Sequence, residues 1–240
     1  MAHSEAAAGG GVPGVLAPID DAAVAELDAA AVTRGFDEAL LRMTPARDMR
    51  ARIETVVDLL EKMDPAGLLK KQGPISRLVG ADVEARLQFE LASEKVVAAM
   101  RQLKIAAQNG VRMRMMLDEA VREIETDQMR FEAAIMTGRG RLKCAAGSDE
   151  FMLARYERRL ANITAMHAAN ILAIEQLKLA KVVLTSLLDR FTDVETLLLP
   201  VWQRHVLALA SAAGASRQAG ADFSETNTKL IDFLKQDLSS

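Results

Sequence analysis

Residues 187–210 read LLDRFTDVETLLLPVWQRHVLALA, and this stretch decides how the second half of the chain is arranged. It holds Trp202, the only tryptophan, and Pro200, the last proline. Because proline has no N–H to donate and its ring crowds the preceding turn, we expect a long helix to end or bend just before Pro200. Thr192 and Asp193 are suitable N-cap residues for a new helix. The stretch therefore predicts a corner at which a C-terminal helix folds back, with Trp202 as its apolar anchor.

The composition of the 240-residue chain is typical of long helices and coiled coils. Half of the residues are apolar and only 4% are aromatic. The 30 basic residues nearly balance the 33 acidic ones, so the net charge gives no argument for an anionic partner. Because neither a basic stripe nor stacking aromatic side chains are present, no nucleic acid partner is expected.

The sequence also predicts the compartment. Cys144 is the only cysteine, which rules out an internal disulfide and fits a reducing cytoplasm. No apolar run approaches the ~18 residues that a membrane-spanning helix needs, and no signal peptide is visible. We therefore expect a cytoplasmic protein with no direct membrane insertion.

Two long helices are predicted, from about residue 82 to 137 and from about 150 to 191. The second carries two rows of residues at seven-residue spacing, which indicates a supercoiled seam. The short loop between the helices makes them antiparallel neighbours. One row is Leu153, Leu160, His167, Ile174, Lys181 and Leu188, and the other is Tyr156, Ile163, Asn170, Leu177, Leu184 and Phe191.

The predicted fold is all-α: an elongated, antiparallel coiled-coil bundle with two long helices and a C-terminal helix that folds back at the proline corner. Residues 1–18 are rich in alanine and glycine and predict a disordered tail. Residues 19–80 predict short N-terminal helices. Residues 81–213 predict the long coiled-coil hairpin with its fold-back helix, and residues 214–240 predict a partly flexible C-terminal helix.

Glycines are expected to interrupt the first long helix. Asn109–Gly110 predicts a bend or a change of phase, since glycine weakens a helix interior by ~1 kcal/mol relative to alanine. Gly138 and Gly140 are expected to end the helix. Ser148 and Asp149 are suitable caps for the next one.

The predicted turn between the long helices contains the most distinctive local cluster, formed by Arg139, Arg141, Lys143 and Cys144. Three cations beside a thiol favour the thiolate, and two glycines allow backbone amides to point at an anion. Such a thiol could react with an oxidising oxyanion. The alternative is a solvated loop tip with an incidental cysteine.

Three polar residues interrupt the heptad rows. His167, Asn170 and Lys181 at seam positions fix the register of a coiled coil at a cost in stability. The alternative interpretation is a polar pocket inside the bundle that accepts an anion, with Lys181 and His167 as donors.

The sequence offers little material for an enzyme. The three histidines have no metal-ligand spacing, and the motifs of metalloproteases, phosphate-binding loops and serine hydrolases are missing. The methionines do not converge on one face, so they indicate no soft-metal site and are ordinary apolar residues of the helices. We therefore expect no catalytic residues, no metal and no cofactor.

Two quoted segments carry a resemblance to a known family. RYERRLANITAMHAANILAIEQLKLA (155–180) followed by LLDRFTDVETLLLPVWQRHVLAL (187–209) resembles the TelA-like family of toxic anion (tellurite) resistance proteins. The family's Pro-hydrophobic-Trp motif is matched by Pro200, Val201 and Trp202. Earlier, MDPAGLLKK and PISRLVGADVEARLQFE stand where such proteins begin their coiled-coil half. The resemblance covers about residues 45–212, and this chain looks like a short form of the family.

The resemblance implies an all-helical cytoplasmic protein linked to resistance against tellurite and other toxic anions. It implies no catalytic residues, and it assigns Pro200, Val201 and Trp202 only a structural role. We therefore expect a non-enzymatic resistance factor that acts through protein partners bound by helix-groove contacts, with a homo-oligomer as a further possibility. The alternatives are a structural coiled-coil scaffold without an anion role and thiol-based anion reduction at Cys144.

Overall fold

The computed structural model describes residues 19–33, 38–42, 44–63, 81–145, 147–211 and 217–236. The predicted tail, residues 1–18, lies outside this range. Every regular element in the described ranges is helical, which confirms the all-α class. The elements are α1 (Asp21–Ala30), a short 3-10 helix (Glu38–Arg42), α2 (Thr44–Glu61), α3 (Ala81–Lys143), α4 (Glu150–Asp193), a π-helical segment (Val194–Leu198), α5 (Leu199–Ala210) and α6 (Arg217–Lys235).

The two predicted long helices are α3, with 63 residues, and α4, with 44. In both heptad rows of α4 the apolar residues are buried, except for the half-buried Leu153. The polar members His167, Asn170 and Lys181 are only half-buried. The seven-residue spacing therefore identified the packed face of this helix correctly.

The predicted fold-back at Pro200 is wrong. The backbone keeps right-handed helical dihedrals from Asp193 (φ −63°, ψ −42°) to Leu199 (φ −62°, ψ −43°). The wider π-helical turns, in which the Leu199 N–H donates to the Val194 carbonyl, accommodate the proline ring without ending the helix. The helical path ends instead at Ser211, whose backbone is extended (φ −69°, ψ 139°), and α6 then packs antiparallel to α5.

The glycines do not interrupt α3, which runs through Gly110, Gly138 and Gly140 to Lys143. A Cβ at Gly138 would lie 2.7 Å from a methyl carbon of Leu160, and one at Gly110 would lie 3.2 Å from a methyl carbon of Leu188. The helix end predicted at Gly138 and Gly140 is therefore wrong, and the bend or change of phase at Asn109–Gly110 stays a prediction. Gly110 and Gly138 let α4 approach α3 closely instead.

The turn between α3 and α4 begins at Cys144. Gly147 supplies its positive φ of 96°, which other residues rarely adopt. The Asp149 carboxylate accepts a hydrogen bond from the Met152 amide at 3.4 Å and caps α4, as predicted.

The chain divides into two compact units. The first comprises residues 1–36 and 120–176, and the second comprises residues 37–119 and 177–240. In the first unit, α1 is capped by Asp20, whose carboxylate accepts from the Ala23 amide at 2.8 Å. The apolar face of α1 packs on α3 and α4, and the buried cluster comprises Ile19, Ala23, Val24, Leu27, Phe131, Ile135, Tyr156, Leu160 and Ile163.

In the second unit, α3 and the path from α4 to α5 run antiparallel. Asp118 of α3 pairs with Lys181, and Lys104 of α3 pairs with Glu195 at 2.5 Å. Residue numbers therefore decrease along α3 in the direction in which they increase along α4 and the π-helical segment. The same unit contains α2 and α6, which also contact each other. This arrangement places Trp202 between several helices.

Candidate functional site

The indole of Trp202 is fully buried and connects three helices, at a place we call the Trp202 junction. Its Nε1 donates a hydrogen bond to the Asn227 Oδ1 of α6 at 3.0 Å. The Asn227 Nδ2 donates in turn to the backbone carbonyl of Leu60 at 3.1 Å. This carbonyl belongs to the last turn of α2 and also accepts a hydrogen bond from the Met63 amide at 3.1 Å. One buried amide therefore joins α2, α5 and α6.

Aromatic rings extend the Trp202 junction to α3. The ring centroid of Phe223, on α6, lies 6.4 Å from that of Trp202 and 5.3 Å from that of Phe89. The two phenylalanines meet edge to face, which is a favourable arrangement of aromatic quadrupoles. Phe89 and Phe223 are themselves buried.

A second polar contact between α5 and α6 lies one turn from the indole. The Thr226 hydroxyl donates to the Asp222 carbonyl at 2.9 Å and lies 2.9 Å from the His205 Nδ1. The same Nδ1 lies 3.1 Å from the Asp222 carbonyl, so the imidazole, the hydroxyl and this carbonyl form one small polar cluster. The imidazole therefore links α5 to α6 beside the Trp202 junction.

An open groove of about 680 Å³ follows the outer face of α4 in the second unit. The Arg190 guanidinium lies 5.9 Å from the Phe233 ring centroid and donates to the Phe233 carbonyl at 3.4 Å, which links this face to α6. Charges of both signs and two hydroxyls line the groove. The lining residues are Lys178, Lys181, Val182, Thr185, Ser186, Asp189, Arg190 and Asp193.

Lys181, one of the predicted anion donors, pairs with Asp118 of α3. His167 and Asn170 are half-buried on α4. Lys181 is thus already neutralised by a carboxylate, and its ammonium serves the contact between α3 and α4. The anion pocket with His167 stays a prediction.

Of the predicted cationic cluster at the α3–α4 turn, Arg141 is engaged by a carboxylate of α1. Arg139, Lys143 and Cys144 are exposed, whereas the Arg141 side chain is only 13% exposed and pairs with Glu26 of α1 at 2.7 Å. Its hydrogen bond to the Glu26 carboxylate raises the pKa of the Arg141 guanidinium above its ordinary value, and burial opposes this rise. The reactivity of Cys144 stays a prediction.

Of the signature residues, Trp202 is fully buried and Pro200 and Val201 are exposed. Asn227 and Glu26 were not singled out from the sequence. Asn227 stands among the apolar residues of α6, and a polar residue on an apolar face is the signal that could have identified it. Glu26 lies on a weakly amphipathic helix, so its pairing with Arg141 has no local signature.

Two further observations concern the described residues alone. None of the helices there has the length and apolar character that crossing a membrane requires. Likewise, no three side chains of histidine, cysteine, aspartate or glutamate meet there in a group that could hold a metal ion.

These features define an all-α helical protein in which α3 and α4 pair closely and short helices complete each compact unit. Comparison with known proteins adds one relative, protein KlaA of Escherichia coli. It is 26% identical over 196 residues, which span 78% of this chain and 76% of KlaA. The match supports the resemblance to the TelA-like family. No family model matches the chain, and no solved structure matches it significantly.

Proposed function

We propose that this protein is a non-enzymatic factor in resistance to toxic anions such as tellurite, and that it acts through helical contacts with protein partners. The observation that carries the proposal is the similarity to KlaA over most of both chains. It supports the TelA-like resemblance, and resistance is what that resemblance implies. Cytoplasmic action is part of the same proposal.

The mode of action is inferred from the surface of the second unit. Three large apolar side chains, Leu179, Val182 and Leu197, are 67%, 64% and 63% exposed. Val182 lines the groove on α4, and the other two stand on α4 and on the π-helical segment that follows it. An exposed apolar face beside a groove with charges of both signs is suited to binding an amphipathic helix.

Growth across a tellurite series tests the proposal. The gene is deleted in the organism that encodes it and restored on plasmids. The unchanged gene should restore tolerance, and so should Cys144→Ser, because helical contacts do not need the thiol. The double change Leu179→Ser and Val182→Ser should not restore tolerance, although both side chains are too exposed for a large effect on stability. Leu207→Ser, at a 70% exposed position of α5, is the matched control.

The outcomes separate the alternatives. If deletion leaves tolerance unchanged, the resistance function is wrong for this chain. Loss of tolerance with Cys144→Ser alone would instead favour thiol-based reduction of the anion. Light scattering of the purified chain shows whether a second copy is itself a partner.

A further inference from the structure

The short helix α1 is attached to the first unit by a set of arginines. Three arginines of α3 and α4 each pair with an acidic residue of α1, at distances from 2.7 to 3.1 Å. The arginine fork suits carboxylates particularly well, because it is planar and permanently charged. The pairs are Arg141–Glu26, Arg155–Asp21 and Arg159–Asp28.

A fourth arginine holds the end of α1. The Arg130 Nε donates to the Ala30 carbonyl at 3.1 Å, and its Nη2 donates to the Val32 carbonyl. These carbonyls lie at the C-terminus of α1, where the helix dipole attracts a cation. The surface under α1 therefore contacts both the acidic side chains of this helix and the negative end of its dipole.

The attachment of α1 is weaker than its number of contacts suggests. Asp21 and Glu26 are 83% and 60% exposed, so water and salt screen their ion pairs. The buried apolar side chains of α1 itself are Ala23, Val24 and Leu27. A helix of 10 residues is also too short to be stable alone.

Two buried polar atoms beside this attachment are left unsatisfied. The Tyr156 hydroxyl and the Arg141 Nε find no hydrogen-bond acceptor among the described residues. The Tyr156 phenol lies beside the Arg141 guanidinium, and the Glu26 carboxylate pairs with the Nη1 of that group at 2.7 Å. Buried polar atoms without partners cost stability. A carboxylate that accepted from Nε and Nη1 together would bind this arginine better than Glu26 does.

We propose that the surface beneath α1 is a docking site for an acidic amphipathic helix of a partner protein, and that α1 is its exchangeable internal occupant. The surface combines an apolar floor, which includes Phe131, Ile135 and Leu160, with four arginines. The partner helix carries acidic residues spaced as in α1 and a further acceptor for Tyr156 and Arg141. This inference rests on the proposed mode of action through helical contacts.

Hydrogen exchange of the full, unmodified chain is the first test. We expect the amides of α1 to exchange well before those of α3 and α4 around Phe131 and Ile163. We also expect this opening to accelerate between ~0.05 and ~1 M NaCl, because the screening length falls to about 3 Å. Arg155→Gln should accelerate the opening roughly twofold to fivefold, whereas the neighbouring exposed Arg158→Gln should not.

A labelled synthetic peptide with the sequence of residues 19–33 is the second test. It should bind the full chain with an affinity that falls with salt, and a peptide with Asp21→Asn, Glu26→Gln and Asp28→Asn should bind about tenfold more weakly. The proposal would be overturned if the amides of α1 exchanged their hydrogens only together with those of the rest of the unit. Absence of peptide binding, or equal binding of the neutral peptide, would also overturn it.

These physical measurements are independent of the growth assay. If the peptide binds but the gene gives no tolerance to tellurite, the docking site stands and the resistance function fails. If the gene gives tolerance while α1 does not open, the resistance function stands and the docking site fails.

Discussion

The two units attach a short helix to their long helices in opposite ways. In the first unit, α1 is held around a small apolar face by ion pairs whose acidic side chains are 46–83% exposed. In the second unit, α6 is held by the buried hydrogen bonds of Asn227 and by the rings of Phe223 and Trp202. Its ion pair between Lys235 and Glu61 leaves both side chains nearly half exposed.

The difference predicts which helix can leave its site. Exposed ion pairs contribute ~0–1 kcal/mol each and weaken with salt, so α1 can detach while its unit stays folded. Detaching α6 would expose a tryptophan and leave buried polar groups without partners, each of which costs about 1–3 kcal/mol. We therefore expect local opening at α1 and opening of α6 only with its whole unit.

The largest effect is expected for Trp202→Ala. Removing a fully buried indole leaves a cavity between α5 and α6 and should lower the free energy of unfolding by about 3–5 kcal/mol. Urea denaturation measures this change. Trp202→Phe, which keeps most of the volume and loses the hydrogen bond to Asn227, should cost less. Equal losses for the two variants would show that the indole volume is not what stabilises the Trp202 junction.

Asn227→Leu comes next. Because the Trp202 Nε1 would lose its acceptor, while the Leu60 carbonyl would keep only its bond from the Met63 amide, we expect a loss of about 1–3 kcal/mol in the same measurement. The exposed neighbour Thr228→Ala is the control and should stay within ~0.5 kcal/mol of the unchanged chain. If Asn227→Leu leaves the free energy of unfolding unchanged, packing alone holds α6.

Gly138→Ala tests the close approach of α3 and α4 in the first unit. The new Cβ would lie 2.7 Å from a Leu160 methyl carbon, so Leu160 must move, at a cost of about 1–3 kcal/mol. The better helix propensity of alanine offsets up to ~1 kcal/mol of this. In a double-mutant cycle, Leu160→Ala should remove the penalty of Gly138→Ala. Additive losses would contradict a steric cause.

The smallest changes in stability are expected for variants of single ion pairs, and these variants distinguish the attachment of α1 from that of α6. Lys235→Gln should lower the free energy of unfolding by ~0.5 kcal/mol or less and leave α6 in place. Arg159→Gln has an equally small global effect, but it should make α1 easier to cleave by limited proteolysis because α1 depends on such pairs. If α1 and α6 resist proteolysis equally well in both variants, the two units do not differ in how they hold their short helices.

The periodicity of the sequence predicted the all-α class, the two long helices and the buried face of α4. It failed where tertiary contacts override a local rule. Pro200 normally ends a helix, but π-helical turns absorb it. Gly110 and Gly138 normally weaken a helix, but here the lack of a side chain admits a neighbouring helix.

The candidate site was predictable only in part. Trp202 was identified because it is the only large aromatic residue of its kind. Its partner Asn227 lies 25 residues away on another helix, and Glu26 lies more than a hundred residues from Arg141. Such pairs depend on how helices meet, and no short-range pattern in one sequence contains that information.

The π-helical segment has a consequence for how this chain can change in length. A helical turn closed by bonds between residues five apart holds one residue more than an α-turn, while the helix before and after it keeps its rotational phase. Residues 194–198 are therefore the place where one residue can be lost without rotating Trp202 away from Asn227. Within α4 itself a single deletion would turn every later side chain by about 100°. The segment thus tolerates a change of one residue in chain length that the helices on either side do not.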